Sequence, residues 1–214
     1  MAVDQQLIDI YLEKHSSPES ELLHQLTRET NLKVVYAQMI SGHLQGRLLA
    51  LISKMICPKL ILEIGTFTGY SAICLAEGLV PGGQLITIDS NEEIDALARK
   101  YFALAGLEEQ ITKLTGKAVD ILPTLEGDVD LVFLDADKIN YTLYYDIIID
   151  KVRPGGFILA DNVLWYGKVV ESVLPSSDKD TPAIKAFNEK IQQDSRVENV
   201  MLPIRDGLTI IRKK

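Results

Sequence analysis

The spacing of apolar residues along the chain changes near residue 60. Before that point, apolar residues recur at intervals of three and four, which is the spacing of amphipathic helices. They are Leu7, Ile8, Tyr11 and Leu12 in a first short segment, and Leu44, Leu48, Leu49, Ile52 and Ile56 in a longer one that stops before Pro58. Between these segments, Ser16-Ser17-Pro18-Glu19 offers capping hydroxyls, an early proline and an acidic first turn for a helix that runs to about Glu29. The sequence therefore predicts three helices before any strand.

From residue 60 onward, short apolar runs alternate with helix-like stretches. The runs cover residues 60–64, 85–88, 111–114, 131–134 and 157–159. Runs this short and this apolar are typical of buried parallel strands. Gly82-Gly83 and Pro154-Gly155-Gly156 interrupt the chain just before two of the runs, as turns that enter strands do.

The last part of the chain follows a different pattern. Residues 197–202 and 208–211 form two strand-like runs, and the segment between them is too short for a helical crossover, so the two should pair antiparallel. We expect an α/β fold with a doubly wound, mostly parallel sheet and a C-terminal antiparallel hairpin. One domain is expected over residues 1–214, with residues 1–57 as an N-terminal helical extension.

Composition narrows the class of protein. A chain of 214 residues with 47% hydrophobic residues can bury a sizeable core without help. Its formal net charge of −8 argues against a broad phosphate-binding surface, and hence against a nucleic-acid partner. No apolar run approaches the roughly 18 residues of a membrane span, and residues 1–9 lack a cationic segment followed by an apolar one. Cys57 and Cys74 stand in apolar surroundings without CxxC spacing, which indicates buried thiols in a reducing compartment. We expect a cytoplasmic protein with no membrane partner.

The end of the first apolar run carries the first candidate site. In an open α/β sheet, ligands bind outside the carboxyl ends of the strands. There the chain reads Glu63-Ile64-Gly65-Thr66-Phe67-Thr68-Gly69-Tyr70-Ser71, a G-x-x-x-G loop that opens a helix. Gly65 would let the backbone approach a ligand closely, and the helix start offers free N–H groups. The spacing is neither that of dinucleotide binding nor that of a P-loop, and a plain strand-to-helix turn is the alternative.

Two further strand ends carry weaker signals. Asp89 closes the second run, where a carboxylate can accept both hydroxyls of a ribose. Alternatively, Asp89 is the N-cap of a helix that begins near Glu92. After the third run, Gly116-Lys117-Ala118-Val119-Asp120 forms a candidate loop for the adenine side of such a ligand.

The fourth and fifth runs end in oxygen-bearing side chains. Asp135 follows one of them, and Asp161 and Asn162 follow the next. Adjacent strands would bring these side chains together, and none of the three histidines lies nearby in the sequence. Carboxylate and amide oxygens favour Mg²⁺, Ca²⁺ or Mn²⁺ over Zn²⁺. The alternative is that each residue only caps a strand end.

At these residues the sequence resembles the cation-dependent O-methyltransferases, which include plant caffeoyl-CoA O-methyltransferases and, more distantly, catechol O-methyltransferase. The similarity covers nearly the whole chain. Its most specific parts are Asp135-Ala136-Asp137-Lys138 and Asp161-Asn162-Val163-Leu164-Trp165, together with Gln45-Gly46 and Asp206-Gly207. Residues 41–46 depart from the V-S-P-E-Q-G-like stretch of many members.

The resemblance implies a seven-stranded methyltransferase fold, a homodimer and S-adenosylmethionine as cofactor. The cofactor would be bound by Ser41, Glu63, Gly65, Thr66, Tyr70, Ser71, Asp89, Ala118, Asp135 and Asp137. The metal would be held by Asp135, Asp161 and Asn162. Lys138, with Asp135 beside it, would be the catalytic residue that takes the acceptor's proton, although Lys138 could instead be an ion-pair lysine.

The implied reaction needs an acceptor oxygen at the right distance and angle from an activated methyl group. A divalent cation chelated by two adjacent hydroxyls would lower the pKa of the reacting hydroxyl and fix its direction, so the expected acceptor is a small aromatic vicinal diol. The ring would contact the N-terminal helices of residues 1–57 and the loop of residues 163–180, which contains Trp165, unless Trp165 only packs on the sheet. A hydroxylated tRNA base and a non-catalytic cofactor-binding role are the competing interpretations.

Overall fold

A computed structural model describes residues 5–214. The helices are α1 (Gln5–Lys14), α2 (Glu21–Lys33), α3 (Gly42–Ile56), α4 (Tyr70–Ala76), α5 (Asp95–Leu104), α6 (Ala118–Ile121), α7 (Tyr141–Ile148) and α8 (Asp180–Gln193). The strands are β1 (Leu60–Ile64), β2 (Gln84–Asp89), β3 (Ile111–Thr115), β4 (Val129–Leu134), β5 (Val152–Asp161), β6 (Val197–Leu202) and β7 (Leu208–Lys213). Short 3-10 turns lie at Ala37–Met39, Leu122–Thr124, Lys138–Asn140 and Lys168–Val170. The predicted domain of residues 1–214 extends beyond this range at residues 1–4, which lie outside the described residues.

The seven strands form one sheet in the order β3-β2-β1-β4-β5-β7-β6. The first five strands are parallel, and β7 is antiparallel to both β5 and β6. The predicted doubly wound, mostly parallel sheet with a C-terminal antiparallel hairpin is therefore confirmed. The strand order reverses between β1 and β4, so the carboxyl ends of these two strands flank the crevice where such folds bind ligands.

Buried apolar side chains cover both faces of the sheet. Helices α2 to α5 contribute Leu26, Leu49, Leu75 and Phe102 to the core on one face. Helices α7 and α8 contribute side chains such as Phe187 to the core on the other. Helices α2 and α3 of the N-terminal segment therefore bury side chains in the same core as α4 and α5.

Four local predictions were wrong. Ser20, whose hydroxyl accepts a hydrogen bond from the Leu23 N–H, caps α2, so Ser16 and Ser17 do not, and α2 continues past Glu29 to Lys33. Pro154-Gly155-Gly156 lies within β5 and does not precede it. Cys57 is exposed at the end of α3, whereas Cys74 is buried as predicted.

No helix in residues 5–214 combines the length and the apolar character that a membrane crossing requires.

Candidate active site

The loop after β1 lies against the end of β4. The Asp135 N–H donates to the Ile64 carbonyl at 2.9 Å, and the Gly65 N–H donates to the Ile88 carbonyl at 2.9 Å. Gly65 has φ +105°, and a Cβ there would lie 1.9 Å from the Asp135 carbonyl oxygen. Only glycine allows this approach, so Gly65 joins the predicted cofactor loop to the predicted metal ligand.

Glu63 is fully buried at the end of β1, beneath this loop. Its two carboxyl oxygens accept hydrogen bonds from the Ser71 hydroxyl at 2.6 Å and the Thr87 hydroxyl at 2.5 Å. The Thr87 hydroxyl also lies 2.6 Å from that of Thr66. Burial raises the pKa of Glu63 to about 8, and the two donated hydrogen bonds oppose the rise only in part. Three predicted cofactor residues, Glu63, Thr66 and Ser71, therefore share one hydrogen-bonded network.

Asp89 stands at the end of the neighbouring strand, β2. Its carboxylate accepts hydrogen bonds from the Phe67 N–H at 2.7 Å and from the Asn91 N–H at 2.8 Å. Helix α5 begins only at Asp95, so Asp89 does not cap it and that alternative is wrong. The Gly116 N–H donates to the Asp89 carbonyl at 2.9 Å, which brings the loop containing Ala118 alongside.

The two predicted metal carboxylates lie at neighbouring strand ends. Strands β4 and β5 pair in register up to Leu134 and Ala160, the residues just before Asp135 and Asp161. Burial and the negative charge of Asp135 raise the pKa of Asp161 to about 6. Two carboxylates held close enough to repel each other suit a divalent cation, which removes that repulsion. Within residues 5–214, no three His, Cys, Asp or Glu side chains cluster as a metal site. The role of Asn162 as a third ligand stays a prediction.

Lys138 is buried beside this pair. Its ammonium group donates to the Asp135 carboxylate at 3.0 Å and to the Tyr141 hydroxyl at 2.6 Å. The Tyr141 oxygen also lies 2.9 Å from the Asp161 carbonyl, so one buried tyrosine contacts both the lysine and the end of β5. Lys138 therefore does form an ion pair, with Asp135. Because Asp135 is a predicted metal ligand, this ion pair places the ammonium group at the predicted metal site.

Strained backbone concentrates at this edge of the sheet. Seven described residues other than glycine have positive φ, and five of them lie in loops at the carboxyl edge: Phe67, Asn162, Trp165, Tyr166 and Arg205. Bulky residues avoid this region unless the surrounding structure holds them there, and such residues cluster at functional sites. The half-buried Trp165 ring lies 6.0 Å from the Lys138 ammonium nitrogen, which places it beside the site.

Three predicted cofactor residues have partners outside the Glu63 network. The Tyr70 hydroxyl donates to Glu19 at 2.8 Å. Asp137 is exposed and accepts hydrogen bonds from Tyr144 and Asn140, both at 2.5 Å. Ser41 is buried before α3, and its carbonyl accepts a hydrogen bond from Arg205. Their roles toward a cofactor stay predictions.

Sequence reasoning did not identify Thr87, Tyr141 or Arg205 as residues of this site. Thr87 had a signal, because it is the polar residue within the apolar run of β2 and it pairs with Glu63. Tyr141 had a weaker one, since it lies three residues after Lys138 and therefore on the same side of a helical turn. Arg205 stands directly before Asp206-Gly207, but nothing in that motif links it to Ser41, so its contact with Ser41 could not be read from the sequence.

The chain is similar to known proteins over most of its length. Residues 13–214 match the model of a family described as O-methyltransferase. The chain is 36% identical to tricin synthase 2 of Oryza sativa subsp. japonica over 91% of this chain and 70% of the relative. It is 38% identical to the catechol O-methyltransferase of Niastella koreensis over 74% of this chain and 72% of the relative. It is 33% identical to the caffeoyl-CoA O-methyltransferase of Stellaria longipes over 91% and 84%.

Solved structures show the same fold. An SAH-bound methyltransferase of Podospora anserina superposes with a TM-score of 0.90 at 30% identity, over 98% of this chain and 95% of that one. An O-methyltransferase of tomaymycin synthesis from Streptomyces achromogenes, in complex with SAM, gives a TM-score of 0.90 at 29% identity over the full length of both chains.

Proposed function

We propose, since the chain belongs to the O-methyltransferase family and is an S-adenosylmethionine-dependent O-methyltransferase, that its acceptor is a small aromatic vicinal diol bound through a divalent cation. Relatives named for catechol and caffeoyl-CoA support this acceptor class. The observation that carries the proposal is the meeting of Asp135, Asp161 and Lys138 at the edge of the sheet where the Gly65 loop begins.

Each residue of this cluster would have a separate task. Asp135, Asp161 and Asn162 would hold the cation through oxygen atoms, which Mg²⁺, Mn²⁺ and Ca²⁺ all accept. When bound, the cation supplies positive charge that lowers the pKa of a chelated hydroxyl. Lys138, in its neutral amine form, would accept the proton that this hydroxyl loses, and Tyr141 would hold the lysine amine toward it. Trp165 would cover the acceptor ring.

The acceptor class can be tested with labelled S-adenosylmethionine in the presence of Mg²⁺. Catechols, caffeoyl esters and flavonoids with adjacent hydroxyls should accept the label, while tRNA and phenols with one hydroxyl should not. Selective labelling of tRNA would replace this proposal with the competing substrate. No label on any acceptor, with normal cofactor binding, would indicate a non-catalytic relative.

We predict that Asp89→Ala weakens cofactor binding by about 1.5–3 kcal/mol, the scale of losing hydrogen bonds to a charged group. Calorimetry with S-adenosylmethionine gives the affinity, and a thermal melt reports the fold. Asp128→Ala, which removes an exposed acid before the start of β4, is the matched control and should bind normally. A lower melting temperature with normal affinity would show that Asp89 only stabilises the fold, through its hydrogen bonds from the Phe67 and Asn91 N–H groups.

A second prediction concerns pH and Glu63. A cationic cofactor next to Glu63 favours its ionised form, so binding at pH 7 should release a proton, because the pKa of about 8 is lowered in the complex. Cofactor affinity should therefore rise with pH up to about 8 and level off above it. Without cofactor, the folded chain keeps a proton that the unfolded chain loses, so this group lowers the free energy of unfolding as pH rises from about 4.5 to about 8.

Calorimetry in buffers of different ionisation enthalpy measures that proton directly. Glu63→Gln, which stays neutral, should bind with no such proton release. A cofactor affinity that is constant between pH 6 and 9 in the wild-type protein would show that cofactor binding does not change the pKa of Glu63.

We also propose a homodimer formed through the N-terminal helices. Helix α1 leaves Leu7, Ile10 and Tyr11 more than half exposed, and α3 exposes Leu51 and Met55. Exposed apolar residues in this number favour burial against a second copy. Sedimentation should give about twice the mass of one chain, and Leu7→Glu with Ile10→Glu should shift it to one. A wild-type monomer at micromolar concentration would contradict the dimer and leave the catalytic proposal unchanged.

The described cysteines support the predicted cytoplasmic location. Cys57 and Cys74 are both free thiols, and free thiols persist in reducing compartments.

A further inference from the structure

A chain of hydrogen bonds leads from the β6–β7 loop into the proposed metal site. The Arg205 guanidinium donates to the Gln45 side-chain oxygen at 2.5 Å and also donates to the Ser41 carbonyl. The Gln45 side-chain amide in turn donates to the second carboxylate oxygen of Asp161 at 2.5 Å. Gln45 and Asp161 are almost fully buried, with 2% and 3% of their surface exposed, whereas Arg205 is at the surface.

The direction of this chain of bonds follows from chemistry. A guanidinium can only donate hydrogen bonds, so the Gln45 oxygen has to face Arg205 and its NH₂ group has to face Asp161. The first carboxylate oxygen of Asp161 accepts from the Asn162 N–H at 2.9 Å. Both oxygens of Asp161 are therefore held by donors, and the carboxylate has one fixed orientation.

The backbone at Arg205 adds a second, independent observation. Arg205 has φ +49°, a left-handed conformation that a long side chain rarely adopts. Glycine would occupy this position without strain. An arginine kept in an unfavourable conformation, with its guanidinium on Ser41 and Gln45, indicates that these contacts have a function.

We propose that Gln45 and Arg205 are positioning residues that orient the Asp161 carboxylate for a divalent cation. Gln45 acts directly on Asp161, and Arg205 acts through Gln45 by preventing its amide from turning its oxygen toward the carboxylate. Groups that contact metal ligands in this way set the ligand orientation and the metal affinity. The inference rests on the proposed function, because it requires Asp161 to bind a cation.

Mn²⁺ titrations of the full chain, saturated with S-adenosylhomocysteine, test this without turnover. The electron paramagnetic resonance signal of free Mn²⁺ gives the dissociation constant. Gln45→Met keeps the side-chain length but cannot donate, and it should weaken Mn²⁺ binding about 10–100-fold. Arg205→Gly should weaken it less, about threefold to tenfold, and should leave the melting temperature equal or higher because it relieves the strained φ.

Two comparisons separate positioning from general damage. The double variant should bind Mn²⁺ about as well as Gln45→Met alone, since both changes act through one carboxylate. Gln193→Met at the end of α8, and Cys57→Gly, which relieves the same kind of strain at φ +51°, are matched controls and should leave Mn²⁺ binding unchanged. S-adenosylhomocysteine affinity should stay within about twofold of wild type in Gln45→Met, because only the metal ligand is misplaced.

The contradicting results are distinct. Wild-type Mn²⁺ affinity in Gln45→Met would overturn the positioning role while leaving the proposed function in place. Independent losses that multiply in the double variant would show that Arg205 does not act through Gln45. Absence of Mn²⁺ binding by the wild-type protein itself would overturn both this inference and the proposed metal-dependent function.

Discussion

Asp135→Ala and Asp161→Ala should each abolish methylation of a catechol acceptor. Removing either carboxylate leaves one charged ligand and Asn162, which are too few protein ligands to hold a hard cation well. Lewis-acid stabilisation is worth several kcal/mol and each 1.4 kcal/mol is a factor of ten, so the rate should fall by at least about 1,000-fold. Asp161 lies outside the predicted cofactor residues, so Asp161→Ala should change cofactor affinity much less than it changes the rate.

Labelled S-adenosylmethionine with catechol and Mg²⁺ measures the rate, and calorimetry measures cofactor binding. Asp146→Ala is the matched control, because Asp146 is a partly exposed acid on α7 whose partner is Lys190, away from the site. Substantial turnover by Asp161→Ala would show that this carboxylate only caps the end of β5. Loss of cofactor binding along with activity in Asp161→Ala would show that its main effect is on the fold.

Gly65→Ala should have the second largest effect. The added Cβ would lie 1.9 Å from the Asp135 carbonyl oxygen, on a backbone with φ +105°. Strain of this kind and overpacking each cost about 1–3 kcal/mol, so the free energy of unfolding should fall by about 2–6 kcal/mol. Because the loop and Asp135 must move apart, cofactor affinity and methylation should both be lost.

Gly82→Ala separates the clash from the backbone strain. Gly82 has φ +76° with nothing within 4 Å of an added Cβ, so this variant should lose only about 1–2 kcal/mol and keep its activity. Denaturant unfolding and cofactor calorimetry on both variants give the comparison. Equal losses in the two variants would mean that the contact between the Gly65 loop and Asp135 is unimportant.

The strands could be predicted because most of them contain a short run of apolar residues. The start of β5 was not predicted, because the strand begins at Val152, before Pro154 and its two glycines. Its pairing with β7 begins only at Phe157, so the first residues of β5 have a partner on the β4 side alone. A proline that lacks an N–H is tolerated at such an edge position, and its sequence signal resembles that of a turn.

The candidate site was predictable where its residues follow strands. Asp89, Asp135 and Asp161 each end or directly follow an apolar run, so the sheet edge brings them together. The contact of Gln45 with Arg205 joins residues that are 160 positions apart, through a loop whose conformation depends on its packing. The exposure of Cys57 was equally hidden, because its left-handed conformation at the end of α3 is a tertiary detail.

The central claim is that a divalent cation and two adjacent acceptor hydroxyls are both required for methyl transfer. One measurement tests it directly: the initial rate with labelled S-adenosylmethionine on catechol and on phenol, in chelator and after Mg²⁺ or Mn²⁺ is restored. We predict methylation of catechol only with metal, reversible loss in chelator, and little product from phenol at saturating metal, because one hydroxyl cannot chelate. Full activity in chelator, or equal rates on phenol and catechol, would contradict the account.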